Sequence, residues 1–246
     1  MTLPALVLIH GGAHAGDCWD LTVDEIRRLE PELRVLTVDL PGRRGKPGDL
    51  RAARIADWIE SVVADIENAG LDDVIIVGHS MAGLTAPGVV ARLGAPRVRE
   101  LILAGACVPP DGAAMVDVLA APVAFIARRN AKSGAPYQFP RFAVRFMFLN
   151  GVPRGRRRFM AGRLHPESSQ IPVERVSRSA LPADVPRTWI LTKRDRTHPP
   201  REQRASISAI GGVEEVIEVD TCHGLMVSEP EWLARMLVQR CRSRVR

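Results

Sequence analysis

Four β-branched residues in a row, Val74-Ile75-Ile76-Val77, run straight into Gly78-His79-Ser80-Met81-Ala82-Gly83. A short unbroken apolar run predicts a strand buried on both faces, as in a parallel sheet covered by helices. Helical spacing resumes at once, from Met81 through Leu84, Val89 and Val90 to Leu93. A strand that turns directly into a helix at Ser80 crowds its neighbours, so the residues two positions either side, Gly78 and Ala82, have to be small. The turn holds the serine in a strained conformation and presents its hydroxyl at the carboxyl end of the strand. The helix start behind it offers unpaired N–H groups to a developing negative charge. The pattern is G-x-S-x-G with Ala82 in the last place and Gly83 after it. A serine that merely caps an ordinary helix is the plainer reading of the same residues.

The rest of the chain alternates in the same way. Pro4 to Ile9, Arg34 to Leu40 and Leu101 to Ala104 read as strands, with helical spacing at Trp19 to Leu29 and Ala53 to Ala69. Further on come strands at Thr188 to Thr192 and Val213 to Val219, and helices at Glu202 to Ile210 and Glu231 to Cys241. Strands alternating with helices predict an α/β fold with a doubly wound, mostly parallel sheet of about six strands. The middle breaks the pattern. Between Asp117 and Glu167 there is no acidic residue, while nine arginines, Lys132, Tyr137 and all six phenylalanines fall there. The expected organisation is a core of residues 1–110 and 187–246 interrupted by a helical cap insertion, 111–186.

Composition excludes several classes. With 46% hydrophobic and 25% charged residues, this is the make-up of an ordinary globular protein. The apolar run Leu3 to Ile9 is too short for a signal peptide, and no stretch approaches the roughly 20 apolar residues of a membrane span. The four cysteines show no C-x-x-C spacing, which fits buried thiols and a cytoplasmic setting. No metal site is expected, because His10 and His14 lack a cluster of carboxylates or cysteines. No cofactor is expected either, since the glycine spacing near residue 11 does not suit a phosphate loop.

A serine hydroxyl needs a base within hydrogen-bond reach, and the base needs an orienting acid. His223 follows the last predicted strand, and Asp195 follows the strand before it. The order Ser80, Asp195, His223 is the Ser…Asp…His order of hydrolases built on such a sheet. Asp220 is nearer His223 in sequence but is the weaker acid candidate, and a solvated ion pair is the plain alternative for Asp195. His79 is expected to pack beneath the turn; His165 and His198 read as loop residues. Acyl transfer also needs N–H donors for the oxyanion. The amides of Met81 and, in the loop His10-Gly11-Gly12, of Gly12 are the candidates.

On these residues the chain resembles the α/β-hydrolase superfamily. It is most similar to the group of methyl-ester esterases, hydroxynitrile lyases and their bacterial relatives. The resemblance rests on Leu8-Ile9-His10-Gly11-Gly12-Ala13-His14 with Trp19, Val38-Asp39-Leu40-Pro41-Gly42, Gly78-His79-Ser80-Met81, Asp195 and His223. It implies an α/β-hydrolase fold and a Ser-His-Asp triad acting on a carboxylic ester or lactone. Lyases of the group carry a hydroxyl residue after the first-strand histidine and a lysine after the catalytic histidine. Here those positions are Gly11 and Gly224, so the resemblance favours hydrolysis. A non-hydrolytic enzyme of the same fold (a C–C lyase, cyclase or cofactor-free oxygenase) or a ligand-binding receptor stays as the alternative.

The expected substrate pocket comprises Gly11, His14, Phe125, Phe142, Phe146 and Gly224. Phe142, Phe146 and Leu149 share one helix face by spacing, and Arg141 and Arg145 another. That pattern predicts an apolar side turned down on the pocket and a solvated basic side. The sharper alternative is a basic face that draws in an acidic substrate or anionic surface. A nucleic-acid partner is not expected, nor is a membrane span; a homodimer is left open. The expected partner is a small-molecule ester.

Overall fold

A computed structural model describes residues 2–245. Six strands form one sheet in the order β2-β1-β3-β4-β5-β6, and every neighbouring pair is parallel. The strands are β1 (Ala5–Ile9), β2 (Val35–Val38), β3 (Val74–His79), β4 (Val98–Ala104), β5 (Arg187–Thr192) and β6 (Glu215–Val219). The helices are α1 (Asp20–Leu29), α2 (Ile55–Asn68), α3 (Ala86–Leu93), α4 (Ala121–Ser133), α5 (Arg141–Ala143), α6 (Arg157–Ala161), α7 (Pro200–Ala209), α8 (Leu225–Ser228) and α9 (Pro230–Ser243). The expected α/β architecture is therefore present, with a sheet that is wholly parallel. No helix of the described residues is long and apolar enough to cross a membrane.

The side-chain period of two splits each central strand between two cores. Val74 and Ile76 of β3, with Ala5, Val7 and Ile9 of β1, face Trp58, Val62 and Ile66 of α2 and Val89 and Val90 of α3. Ile75 and Val77, with Leu6 and Leu8, face Trp19, Val23 and Ile26 on the α1 side and Leu233 and Leu237 of α9. This is why β1 and β3 read as unbroken apolar runs rather than alternating ones. All six residues of β3 are buried.

β4 begins three residues earlier than its apolar run suggests, because Val98 pairs with Val74 and takes in Arg99 and Glu100. Glu100 is buried there and accepts the hydroxyl hydrogen of Thr188 at 2.6 Å and a bond from Arg240 Nε at 3.1 Å. The helix after β3 also starts later than its spacing implies. A 3-10 turn, Ser80–Gly83, comes first, and α3 follows from Ala86.

The segment joining β4 to β5 carries α4, α5 and α6. Its expected Phe142-Phe146-Leu149 face does not form. Val144–Phe148 is wound as a π-helix, closed by the Leu149 amide on the Val144 carbonyl. The wider turn shifts the phase, so Val144 and Phe148 are buried while Phe142 and Phe146 are exposed, at 77% and 56%. The pairing of Arg141 with Arg145 lies outside the described residues, because the Arg141 side chain is not among them.

Tight packing fixes the turn after β3. A Cβ on Gly83 would sit 2.4 Å from the Cys107 carbonyl oxygen, and one on Gly78 would sit 2.9 Å from the Ala86 Cβ. The Cys107 amide in turn donates to the Ser80 carbonyl at 2.9 Å. Gly83→Ala must push the backbone after β4 away from the turn. It is expected to cost about 1–3 kcal/mol, read as a Tm lowered by several degrees with the secondary structure retained.

Candidate active site

Ser80 has φ 55°, in the left-handed region that a residue with a Cβ adopts only under constraint. The constraint is visible around it. A Cβ on Gly11 would lie 2.7 Å from the Ser80 Cβ, so that position has no room for a side chain. The serine is thereby held at the carboxyl end of β3 with its hydroxyl toward the loops after β5 and β6.

His223 and Asp195 come from those two loops. His223 Nε2 lies 2.8 Å from Ser80 Oγ, and His223 Nδ1 lies 2.7 Å from Asp195 Oδ2. The carboxylate can only accept, so Nδ1 carries the hydrogen and Nε2 is left to accept from the serine. Asp195 is buried, and its oxygens are saturated. Oδ2 also accepts from the Thr192 hydroxyl at 2.8 Å, and Oδ1 accepts the amides of Thr197 and His198, each at 2.8 Å. Burial opposes its charge, but His223 and these donors outweigh burial and hold the carboxyl below its usual range. Asp220, by contrast, is exposed and faces Arg194 at 3.3 Å. The structure thus brings Ser80, His223 and Asp195 into one hydrogen-bonded line and leaves Asp220 outside it.

The supports of that line were not legible in the sequence. Gln203, fully buried on α7, bonds Thr192 Oγ1 at 2.9 Å and the Thr192 and His198 carbonyls at 3.1 and 2.7 Å, so it shapes the turn that carries Asp195. His198 is no plain loop residue: it is buried, and its ring lies 3.1 Å from Ser206 Oγ. His79 does pack beneath the turn, and its Nε2–H donates to the His223 carbonyl at 2.9 Å. Gly105, with φ 51°, leaves space that a Cβ would take at 3.2 Å from Asp195 Oδ2.

A cavity of about 710 Å³ opens in front of Ser80, walled mainly by apolar side chains. Gly12, Met81, Phe142 and Phe146 line it, together with Tyr137, Phe139 and Phe148. Four expected pocket residues do not. Gly11 is hidden behind Ser80, and His14 is buried under Phe148, ring centroids 5.4 Å apart. Phe125 points to solvent at 68% exposure, and Gly224 is covered by Met160, whose Cε is 2.5 Å from where a Cβ would be. Phe148 lines the cavity instead and packs toward the imidazole, ring centroids 6.2 Å from His223; the π-turn that aims it hid it from a helical reading. Among the described residues, no group of three or more His, Cys, Asp or Glu could hold a metal ion.

The loop after β1 is built around two imidazoles. His10 takes the Leu40 amide on Nε2 at 3.2 Å and donates from Nδ1 to the Gly11 carbonyl at 2.8 Å. His14 Nδ1 donates to the Gly12 carbonyl at 2.8 Å. Neither the Gly12 nor the Met81 amide is consumed by the loops' own bonding among the described residues. Burial, the largest influence on each, pushes His10 down to about 3 and His14 and His198 to about 4, and pushes His79 well below its ordinary value.

Residues 6–236 match the sequence pattern of the Alpha/beta hydrolase family. A carbendazim hydrolyzing esterase of Nocardioides sp. (strain SG-4G) is 36% identical over 115 residues, 46% of this chain and 46% of that protein. A pimeloyl-[acyl-carrier protein] methyl ester esterase of Vibrio campbellii (strain ATCC BAA-1116) is 36% identical over 100 residues, 40% of this chain and 35% of that protein. The match thus spans less than half the length of either relative. Among solved structures, an extracellular alpha/beta-hydrolase from a Paenibacillus species superposes with a TM-score of 0.85, at 23% identity over 96% of this chain and 98% of that one. That likeness is one of fold.

The buried histidines generate a pH prediction. Unfolded, each binds a proton below its ordinary pKa of 6.5; folded, His10, His14 and His198 do not until about 3–4. Their contribution to stability is therefore complete above pH 6.5. Below it, each withdraws about 1.4 kcal/mol per pH unit. Urea midpoints measured from pH 7.5 to 5 are expected to fall steadily below 6.5; a flat profile contradicts neutral burial.

Proposed function

The chain belongs to the alpha/beta hydrolase family, and we propose that it is a serine esterase acting on a largely apolar carboxylic ester or lactone through an acyl-enzyme. One observation carries this reading: the unbroken line Ser80–His223–Asp195, with bonds of 2.8 and 2.7 Å, ends at the wall of an apolar cavity of about 710 Å³.

In this reading Ser80 Oγ attacks the ester carbonyl as His223 Nε2 takes its proton. Asp195 keeps the imidazole in the right tautomer and offsets the charge it acquires. The carbonyl oxygen, now negative, takes hydrogen bonds from the Met81 and Gly12 amides. As the tetrahedral adduct collapses, the imidazolium returns its proton to the departing alkoxide, which leaves as the alcohol. Water then enters and attacks the acyl carbonyl as His223 takes its proton; collapse breaks the bond to Ser80 Oγ, returns that proton to it, and releases the carboxylic acid.

Residues 111–186 act as the cap over this chemistry, with Tyr137, Phe139 and Phe148 in the cavity wall. The cavity's size and apolar wall favour an acyl or alcohol part larger than a few carbons. The relatives, a carbendazim hydrolyzing esterase and a pimeloyl-[acyl-carrier protein] methyl ester esterase, point the same way, toward hydrolysis. Gly11, where a Cβ would meet the Ser80 Cβ, and Gly224, covered by the flexible end of Met160, leave neither the hydroxyl nor the lysine of the lyases of this group. A cytoplasmic setting belongs to the same reading, supported by four free, buried cysteines.

With a p-nitrophenyl ester, the wild-type chain is expected to give a burst of p-nitrophenol equal to the enzyme present. Ser80→Ala is expected to abolish the burst and lower kcat by on the order of 10⁴-fold or more, with an unchanged circular dichroism spectrum. Full turnover in that variant overturns the nucleophile.

A further inference from the structure

Arg43 and Glu167 are a fully dry ion pair, both side chains 0% exposed, with Arg43 Nη2 2.6 Å from Glu167 Oε1. They lie 124 residues apart in sequence and outside the Ser80–His223–Asp195 line. Taking two charges out of water is expensive, and apolar side chains of similar volume stabilise a core as well or better. What distinguishes this pair is what else it holds.

Every remaining side-chain hydrogen bond of the pair but one goes to the loop after β1. The Ala13 amide donates to Glu167 Oε2 at 2.7 Å, and Arg43 Nε donates to the His14 carbonyl at 3.1 Å; the exception is the Ser168 amide, which donates to Glu167 Oε1 at 2.7 Å. The backbone of the same segment completes the grip, with the His165 amide on the Ala13 carbonyl at 2.8 Å. Ala13 sits at φ 57°, a left-handed conformation that its Cβ disfavours. A residue so placed stays there only while its surroundings over-determine it.

We infer that Glu167 and Arg43 are positioning residues that keep the Gly12 amide facing the cavity: they pin the Gly12–Ala13 peptide on one side of Gly12, while His10 pins the Gly11–Gly12 peptide that carries the N–H. The inference rests on the ester-hydrolysis reading for its chemistry and on the geometry alone for its mechanics. A trans peptide is a rigid plane with its C=O and N–H on opposite sides. His10 fixes the plane before Gly12 through the Gly11 carbonyl, which leaves the Gly12 N–H directed the other way. Glu167 and His14 fix the plane after it, through the Ala13 amide and the Gly12 carbonyl. Glycine alone in the middle leaves both torsions free, so both planes have to be held from outside.

The same residue ties the loop to the cavity wall. Glu167 and Tyr137 pair through their backbones in both directions, at 2.9 and 2.8 Å, and Tyr137 and Phe139 line the cavity. The wall that meets the substrate and the loop that offers the N–H are thus one hydrogen-bonded piece.

The test uses Glu167→Gln and the double variant Arg43→Met/Glu167→Leu, each compared with the wild type in three measurements: Tm, p-nitrophenyl ester kinetics, and amide exchange of the 10–16 segment by mass spectrometry. A charge left unpaired by Glu167→Gln lowers Tm, and the double variant, with no charge to strand, regains most of it. If the pair positions the amide, both variants lose kcat by on the order of 10²-fold with KM changed less than about 3-fold, and exchange at 10–16 accelerates in both. A double variant with wild-type kcat and unaltered exchange overturns the inference and leaves a merely structural pair. A wild-type chain without esterase activity, whose 10–16 segment still loosens in both variants, sinks the ester-hydrolysis reading and leaves the mechanical role standing.

Discussion

The backbone of Ser80 is bent into a left-handed conformation, and much of the molecule is arranged to keep it there. β3 is buried on both sides, so the strand cannot yield; the Cys107 amide holds the Ser80 carbonyl from β4's end of the sheet. Space is made where side chains would collide: Gly11 against the serine, Gly78 against α3, Gly83 against the Cys107 carbonyl. Strain of this kind costs on the order of 1–3 kcal/mol, a cost the surrounding core offsets. What the fold gains is a hydroxyl fixed at the carboxyl edge of the sheet, where the loops after β5 and β6 can reach it.

Electrostatics around that hydroxyl follow from how each imidazole is buried. His10, His14, His79 and His198 are held neutral by desolvation, so none competes for a proton near the site. Three of them work through the backbone, His10 on Gly11, His14 on Gly12 and His79 on His223. His198 also stands between a carboxylate and a hydroxyl, Glu202 at 3.3 Å and Ser206 at 3.1 Å; His223 differs in that its carboxylate, Asp195, is fully buried at 2.7 Å and its hydroxyl is that of Ser80, on the cavity wall. One residue type thus serves as scaffold in one setting and is suited to proton transfer in another, and the difference lies in where its two nitrogens' partners stand.

The sheet was legible because burial on both faces leaves a direct trace, unbroken β-branched runs such as Val74–Val77. Ser80, Asp195 and His223 were legible because their residue types recur at strand ends in a fixed order. Phe142 and Phe146 line the cavity, but not on the buried helix face that their spacing predicts. A π-turn changes the phase by one residue, and no spacing rule based on 3.6 residues per turn anticipates it. Gln203, Gly105 and the Arg43–Glu167 pair left no local signal, since each matters through partners that only the folded chain brings near.

The central claim is that Ser80, His223 and Asp195 act as a unit, and a double-mutant cycle on kcat/KM tests it most directly. His223→Ala, Asp195→Ala and the double variant are compared with the wild type on one p-nitrophenyl ester. Groups that work through one another predict that the double variant is no slower than His223→Ala alone, within about a factor of three. Losses that multiply would mean that the carboxylate and the imidazole act independently, and the hydrogen-bonded line would then be only an arrangement of the fold.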